Sequence, residues 1–195
     1  LSFDYLLSDY SYLATKLVFQ DVSFDLNPIQ DKTRLIGLVG FKWQTTAATR
    51  LSALIGYQRV DFEQNQFNDD SAFKWQLDWQ WHPVESTRLM LSSTRDFQEA
   101  NRLNNSYRLV DTHQLEISHS FSPFISARAN LGLSQEQVIF STQSLDEDYF
   151  FSEVELNYQR NDWLSLFIRY SYDDLRAHQA ILDYQRTGIT FGFNV

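Results

Sequence analysis

The sequence contains no cysteine, only three prolines and six glycines, and no long apolar run. The lack of cysteine excludes disulfides, thiolate metal sites and cysteine nucleophiles. Proline and glycine are too few for a linker-rich or disordered chain. No apolar segment approaches the roughly 18 residues that a membrane-spanning helix requires. If this chain crosses a membrane, it must do so as a closed barrel, because only helices and barrels satisfy their own backbone hydrogen bonds in lipid.

Positive charge is also scarce, since the formal net charge is -9. A nucleic-acid partner is therefore not expected, because binding phosphates requires a basic face. Aromatic residues, in contrast, are abundant: the chain has 16 Phe, 10 Tyr and 5 Trp. A length of 195 residues suits one domain with a sizeable core, and nothing in the composition divides residues 1–195.

Alternation of apolar and polar residues with period two is the main pattern, and it is clearest in residues 73–81. Every odd position from Phe73 to Trp81 is large and apolar, and the even positions carry Lys74, Gln76, Asp78 and Gln80. Successive side chains of a β-strand point to opposite faces of the sheet. Because weaker versions of the pattern recur along the chain, the sequence predicts about ten antiparallel strands. Residues 1–8 are expected to form an incomplete N-terminal strand.

The connections between these strands alternate between short and long. Short connections are predicted near residues 44–49, 82–86, 122–123 and 159–162, and long ones near 25–33, 63–71, 97–106, 135–147 and 173–182. Outer-membrane barrels have short periplasmic turns and longer extracellular loops. The predicted long loops are acidic; they carry Glu63, Asp69, Asp70, Asp96, Glu99, Asp146, Glu147, Asp148, Asp173 and Asp174.

Aromatic side chains concentrate near the ends of the predicted strands. The candidates for an interfacial girdle are Trp43, Trp79, Trp81, Tyr158, Trp163, Tyr170 and Tyr172. Such girdles flank the apolar band of membrane barrels. A soluble β-sandwich or lipocalin-like barrel would also alternate, but its strands are usually shorter than the 9 to 11 residues that a tilted strand needs to cross a bilayer. The sequence thus favours an all-β, up-and-down transmembrane β-barrel of the bacterial outer membrane.

The polar faces of the predicted strands carry charges of both signs. The candidates for a lumen lining are Lys74, Asp78, Arg88, Glu116, Arg128, Glu153, Glu155 and Arg169. One interpretation is a pore whose mixed charges select a polar solute. The other is a closed lumen filled by Arg–carboxylate pairs, as in small barrels.

An alternating apolar run ends the sequence, with Ile189, Phe191, Phe193 and Val195 on one face. It is similar to the C-terminal signal that the barrel assembly machinery recognises, although that signal usually ends in Phe or Trp. We expect the last strand to contact this machinery, and the barrel to contact outer-membrane lipid and lipopolysaccharide.

From about Gly56 onward the chain resembles the outer-membrane β-barrel porins encoded with exopolysaccharide biosynthesis and export systems. The features that carry the resemblance are Gly56-Tyr57-Gln58-Arg59-Val60-Asp61-Phe62, Trp79-Gln80-Trp81-His82-Pro83 with Thr87, Arg95-Asp96-Phe97-Gln98-Glu99, Tyr170-Ser171-Tyr172-Asp173-Asp174 and Asp183-Tyr184. The resemblance implies that this chain is the C-terminal portion of a larger barrel. It also implies a role in polysaccharide export or surface assembly, with export components as partners and without a catalytic residue.

Two further interpretations concern chemistry. His113 and His119 share a face with Leu115 and Ile117, and a nearby Ser92 or Ser93 would give a lipid-facing Ser–His site, but no nucleophile motif of the G-x-S-x-G kind supports an enzyme. The acidic clusters 146–148 and 69–70 lack the spacing of a calcium loop. We therefore expect no enzyme, no metal site and no cofactor, and the leading hypothesis is a porin-like channel or accessory barrel for a polar solute.

Overall fold

A computed structural model describes residues 1–23, 31–46, 48–62, 70–98, 107–139, 144–161, 163–177 and 182–194. These residues form eleven β-strands in one antiparallel sheet. The strands are β1 Ser2–Ser8, β2 Ser11–Val22, β3 Lys32–Thr46, β4 Thr49–Phe62, β5 Asp70–Val84, β6 Thr87–Gln98, β7 Tyr107–Ser122, β8 Ile125–Ile139, β9 Ser144–Asn161, β10 Leu164–Ala177 and β11 Tyr184–Asn194. The sequence predicted about ten strands; the eleventh is β1, which lies in the segment predicted as an incomplete strand.

Each strand pairs with the next one along the chain, which is the up-and-down topology that the sequence predicts. Within the described ranges, β1 is hydrogen-bonded to β2 on one side and β11 to β10 on one side. The short connections lie where they were predicted, and side chains close them. Ser122 Oγ accepts hydrogen bonds from the backbone N–H groups of Phe124 and Ile125, and Asn161 Oδ1 accepts one from Leu164.

The strands extend into several of the segments predicted as long loops, and this corrects those predictions. The predicted loop at residues 135–147 is mostly strand, since β8 continues to Ile139 and β9 starts at Ser144. Likewise β6 continues to Gln98 and β10 to Ala177. The predicted loop acids Asp70, Asp96, Asp146, Glu147, Asp148, Asp173 and Asp174 therefore belong to strands, whereas Glu63, Asp69 and Glu99 lie outside the described residues. Where a strand end carries polar residues on both faces, the sequence shows no alternation there and predicts a loop.

Contacts between distant strands define the two faces of the sheet. Arg34 in β3 forms an ion pair with Asp96 in β6, across two intervening strands. Because these side chains meet, the sheet curls toward the face that carries them, and we call it the inner face. The pairing register assigns to it the even-numbered residues of β1 to β8 and of β11, and the odd-numbered residues of β9 and β10.

The opposite, outer face is apolar and open to its surroundings. The large exposed side chains on it include Leu17, Phe19, Leu35, Val39, Ile55, Tyr57, Leu131, Leu133, Val154, Leu156, Leu166, Ile168, Ile189, Phe191 and Phe193, and Phe191 is 73% exposed. A patch of this extent is unusual on a soluble monomer and marks an interaction with lipid or with another protein. No helix within the described ranges is long and apolar enough to cross a membrane.

Candidate functional site: the inner face of the sheet

All eight predicted lumen-lining residues lie on the inner face. The register places Lys74 and Asp78 of β5, Arg88 of β6, Glu116 of β7, Arg128 of β8, Glu153 and Glu155 of β9 and Arg169 of β10 on this side. The sequence pattern therefore grouped side chains that the topology brings onto one surface. Their role in selecting a solute stays a prediction.

Cations are concentrated on the inner face, although the chain as a whole is acidic. The chain has 16 Lys and Arg residues. The register places eleven of them on the inner face: Lys16, Lys32, Arg34, Lys42, Arg50, Lys74, Arg88, Arg108, Arg128, Arg169 and Arg186. The acidic residues at inner positions in the described strands are ten: Asp4, Asp70, Asp78, Asp96, Glu116, Glu136, Glu147, Glu153, Glu155 and Asp173. The inner face is thus close to neutral, although the protein as a whole has a net charge of -9.

One sector of the inner face, from β2 to β6, is packed. Ala14, Ile36, Leu38 and Leu54 form a buried apolar cluster on β2, β3 and β4. The middle of β3 is apolar on both faces, so alternation alone does not fix which side chains point inward. The structure explains this pattern, since the inner side chains of β3 join the cluster and its outer ones, such as Leu35, belong to the exposed apolar band.

The end of the β6–β7 hairpin lies inside this packed sector. The ladder between β5 and β6 is recorded from Val84 and Thr87 up to the pair Gln76 and Thr94. Beyond that pair, Phe97 and Leu109, which take outer positions in the register, pack against Val60 and Phe62 on the inner face of β4. The segment Asp96–Gln98 of β6 and its β7 partners therefore cover the inner face of β4 and β5 at the end of the sheet remote from the short turns.

Asp96 fixes this hairpin to the sheet, and we call the group the Asp96 clamp. Its Oδ1 forms ion pairs with the guanidinium of Arg34 and, at 2.6 Å, with the ammonium of Lys74. The side chains of Lys74 and Arg34 are 10% and 19% exposed, and that of Asp96 is 36% exposed. Gln58 is 1% exposed, and its Oε1 accepts hydrogen bonds from Arg34 and from the backbone N–H of Phe97. Asp96 thus contacts both cations of low exposure, and Gln58 contacts Arg34 and the backbone of the hairpin.

The other sector of the inner face, from the half of β6 next to the short turns to β11, is polar and holds cavities. One cavity of about 370 Å³ lies beside the short turns and is lined by Arg88, Ser118, Arg128, Glu155 and Asn157 among others. A second cavity, of about 300 Å³, lies further from the short turns. Its lining includes Met90, Ser92, Gln114, Glu116, Asn130, Phe151 and Glu153. Hydroxyl, amide and charged groups on such a wall can hydrogen-bond water or a polar solute.

Ion pairs join neighbouring strands of the polar sector. Arg169 Nη2 lies 2.5 Å from Glu155 Oε2, and Arg169 Nε lies 3.6 Å from Glu153 Oε2. Arg186 Nε donates to Asp173 Oδ2 at 2.9 Å, and the Tyr149 hydroxyl donates to Asp173 Oδ1 at 2.7 Å. Two glycines face aromatic rings here, because Phe151 lies over Gly132 and Phe167 over Gly192. Phe151 and Phe167 therefore both face inward, on strands whose inner positions also carry Glu153, Glu155 and Arg169.

The seven girdle candidates are not on the inner face. Trp43, Trp79, Trp81, Tyr158, Tyr170 and Tyr172 take outer positions in the register, and Trp163 lies in the turn before β10. Five of them, all except Tyr170 and Tyr172, lie close to the short turns. Trp79 and Trp81 stack at a centroid distance of 5.8 Å.

The candidate Ser–His site also falls on the outer face. Ser93 Oγ lies 2.8 Å from His113 Nδ1, and the indole N–H of Trp75 donates to the same oxygen at 2.9 Å. His119 pairs in the same way with Thr87 Oγ1 at 2.7 Å. An activated serine needs its base oriented by a third group, and within the described residues no carboxylate is hydrogen-bonded to His113. These pairs satisfy polar groups on an apolar face.

The acidic run 146–148 does not form a chelating cluster. In β9 its side chains alternate between faces, with Asp146 and Asp148 outside and Glu147 inside. No group of three or more His, Cys, Asp or Glu residues in the described ranges is arranged to hold a metal ion.

Comparison with known proteins identifies the family. A family model described as Putative beta-barrel porin 2 matches residues 21–195. The chain belongs to this porin family. The match confirms the sequence resemblance to an outer-membrane β-barrel porin family, and it agrees with the topology and with the apolar outer face. This member of the family is an outer-membrane barrel of porin type.

Comparison with solved structures finds similar outer-membrane proteins at low sequence identity. OmpTdeltaL8, a loop L8 deletion mutant of the outer membrane protein OmpT of Vibrio cholerae, superposes with a TM-score of 0.51 at 11% identity, over 98% of this chain and 60% of that one. The NanC porin superposes with a TM-score of 0.47 at 11% identity, over 99% and 96% of the two chains. This chain thus spans about 60% of the length of the OmpT structure. A search of curated proteins finds no significant match.

Proposed function

We propose that this porin-family chain forms part of the wall of an outer-membrane channel for a polar solute. The observation that carries the proposal is the contrast between the two faces. The outer face is an apolar band that suits lipid, and the inner face of β7 to β11 carries charged, hydroxyl and amide groups around cavities of about 300 and 370 Å³. A barrel with a wet, charged lumen selects solutes by size and charge without cofactor chemistry.

The solute class we propose is exopolysaccharide or a fragment of it. The sequence resemblance to porins of exopolysaccharide systems supports this choice. So do the hydrogen-bonding groups of the polar sector, among which Ser92, Gln114 and Asn130 occupy successive strands of the inner face. Such groups match the hydroxyls of a sugar chain, and export components of the same system would then be partners.

We further propose an orientation with the short turns in the periplasm and the opposite end at the cell surface, near lipopolysaccharide. The rule of short periplasmic turns in outer-membrane barrels supports it. In this orientation the exposed outer side chains of β11, Ile189, Phe191 and Phe193, are available to the barrel assembly machinery.

A closed, structural barrel is the second candidate, and the packed sector favours it. The β6–β7 hairpin covers the inner face of β4 and β5, and the Asp96 clamp holds it there. If the whole lumen were filled in this way, the protein would serve as an anchor or interaction surface and would pass no solute.

Single-channel recording of the full-length protein in planar bilayers separates the two candidates. We expect stable conductance steps, and we expect Met90→Trp to reduce them because Met90 lines the inner cavity beside Glu116. Leu91→Trp is the matched control, since Leu91 takes the outer position next to it. It should leave the conductance unchanged. A full-length protein that folds but never conducts would contradict the channel and favour the closed barrel.

A further inference from the structure

Two arginines of the polar sector flank one serine close to the short turns. Arg88 of β6 and Arg128 of β8 are both register partners of Ser118 in β7, so all three side chains point to the inner face. Adjacent strands lie about 4.8 Å apart, so the two arginine Cα atoms are roughly 10 Å apart. Two guanidinium groups on long side chains can therefore converge on one small ligand between them.

Two carboxylates lie next to Arg128, and neither holds it in a short ion pair: Glu155 is its register partner on β9, and Glu116 lies on β7. Glu155 lines the same cavity, but Arg169 holds it at 2.5 Å. Glu116 lies 4.0 Å from Arg128, at the limit of an ion pair. Within the described residues, no ion pair or hydrogen bond of the Arg88 side chain is recorded. Glu85 and His82 also line the cavity, and Glu85 is exposed in the turn.

The cavity between the arginines is open and of the right size for a sugar. Its volume of about 370 Å³ falls in the range of small-molecule sites, and the Arg128 side chain is 56% exposed. Ser118, Ser126 and Asn157 add hydroxyl and amide groups to its lining. A guanidinium binds a carboxylate with two parallel hydrogen bonds, a geometry that a lysine cannot supply.

We infer that Arg88 and Arg128 form a binding site for the carboxylate of an acidic sugar on the inner wall, with Ser118, Ser126 and Asn157 contacting its hydroxyl groups. This inference rests on the proposed function and gives it a substrate class: the channel takes an anionic saccharide in preference to a neutral one.

Isothermal titration of the detergent-solubilised full-length protein with glucuronate and with glucose tests the site directly. We expect binding of glucuronate and little or none of glucose, because glucose lacks the carboxylate. The double variant Arg88→Gln/Arg128→Gln should weaken glucuronate binding at least tenfold, and Arg128→Lys should weaken it less because the charge remains. Arg176→Gln is the matched control, since Arg176 takes an outer position in β10. Raising the salt concentration should weaken binding through screening.

Equal binding of the two sugars, or a double variant that binds glucuronate like the wild type, would overturn the site. Heat-modifiable migration on a gel shows whether each variant is folded. The ion selectivity of the conductance, measured from the reversal potential in a salt gradient, separates the two proposals. Glucuronate binding without any conductance would leave the site standing and contradict the channel. Conductance with a selectivity that the double variant does not change would contradict the site and leave the channel standing.

Discussion

Replacing Ile168 by arginine is expected to destabilise the barrel by about 2–4 kcal/mol, the cost of a cation on the lipid-facing side of a membrane barrel near mid-depth. Ile168 takes an outer position in β10, four residues from the start of the strand at Leu164, and lies between Leu156 and Phe191 on the neighbouring strands. An arginine there would displace an apolar side chain from lipid contact. The free energy of unfolding, from urea titration in lipid vesicles followed by tryptophan fluorescence, measures the effect.

The same substitution three residues further along β10 provides the control. Ser171 takes an inner position and is the register partner of Glu153, so Ser171→Arg puts the new cation beside a carboxylate on the polar wall. We expect a change of less than about 1 kcal/mol, because substitutions facing the lumen alter selectivity more than stability. Equal losses for the two variants, or a larger loss for Ser171→Arg, would mean that the two faces are assigned wrongly.

The second large effect is expected at the Asp96 clamp. Asp96→Asn removes the carboxylate that Arg34 and Lys74 share, and both of these cations have low exposure. Breaking a buried ion pair costs about 3–5 kcal/mol. Because the Asp96 side chain is itself 36% exposed, solvent screening lowers our expectation to about 2–3 kcal/mol. Urea titration measures the loss, and bilayer recording should show a larger conductance as the β6–β7 end leaves the inner face.

Asp61→Asn is the matched control for the clamp. Asp61 pairs with Arg59 at 2.5 Å on the outer side of β4, and both side chains are substantially exposed. Exposed pairs contribute about 0–1 kcal/mol, so this variant should be close to wild type in both measurements. If Asp96→Asn were as mild as Asp61→Asn, the clamp would not hold the hairpin in place.

Alternation made the strands and their faces predictable because side-chain direction in a strand has a period of two. Residues 73–81 show this best, since their charged and amide positions all take inner positions in β5. The same rule placed Glu155 and Arg169 on one surface, although they belong to different strands. The up-and-down topology could be predicted from the short turns, because a short turn makes two consecutive strands pair with each other.

The Asp96 clamp could not be predicted in the same way. Asp96 and Arg34 are 62 residues apart in sequence, and the pattern around Asp96 was taken for the start of a loop. Period-two alternation gives the face of a residue but not its partner across two strands. The end of the β6–β7 hairpin folds over the inner face beyond the last β5–β6 pair, Gln76 and Thr94. The polar residues at the strand ends do not show where this pairing stops. The concentration of the chain's cations on the inner face can be found from the sequence, by counting charges separately on the two faces of each strand.

The sheet of this porin-family chain is expected to have its outer face in lipid and its inner face in water. Because the chain has no cysteine, single cysteines can be introduced one at a time at Ile168, Arg169, Tyr170 and Ser171 of the full-length protein in lipid vesicles. A membrane-impermeant thiol reagent, present on both sides of the bilayer, should label positions 169 and 171 quickly, and positions 168 and 170 should react slowly. A fluorophore attached at 168 or 170 should in turn be quenched by a lipid-soluble quencher. Labelling that does not alternate, or that alternates in the opposite sense, would contradict the assignment of the outer face to lipid and the inner face to water.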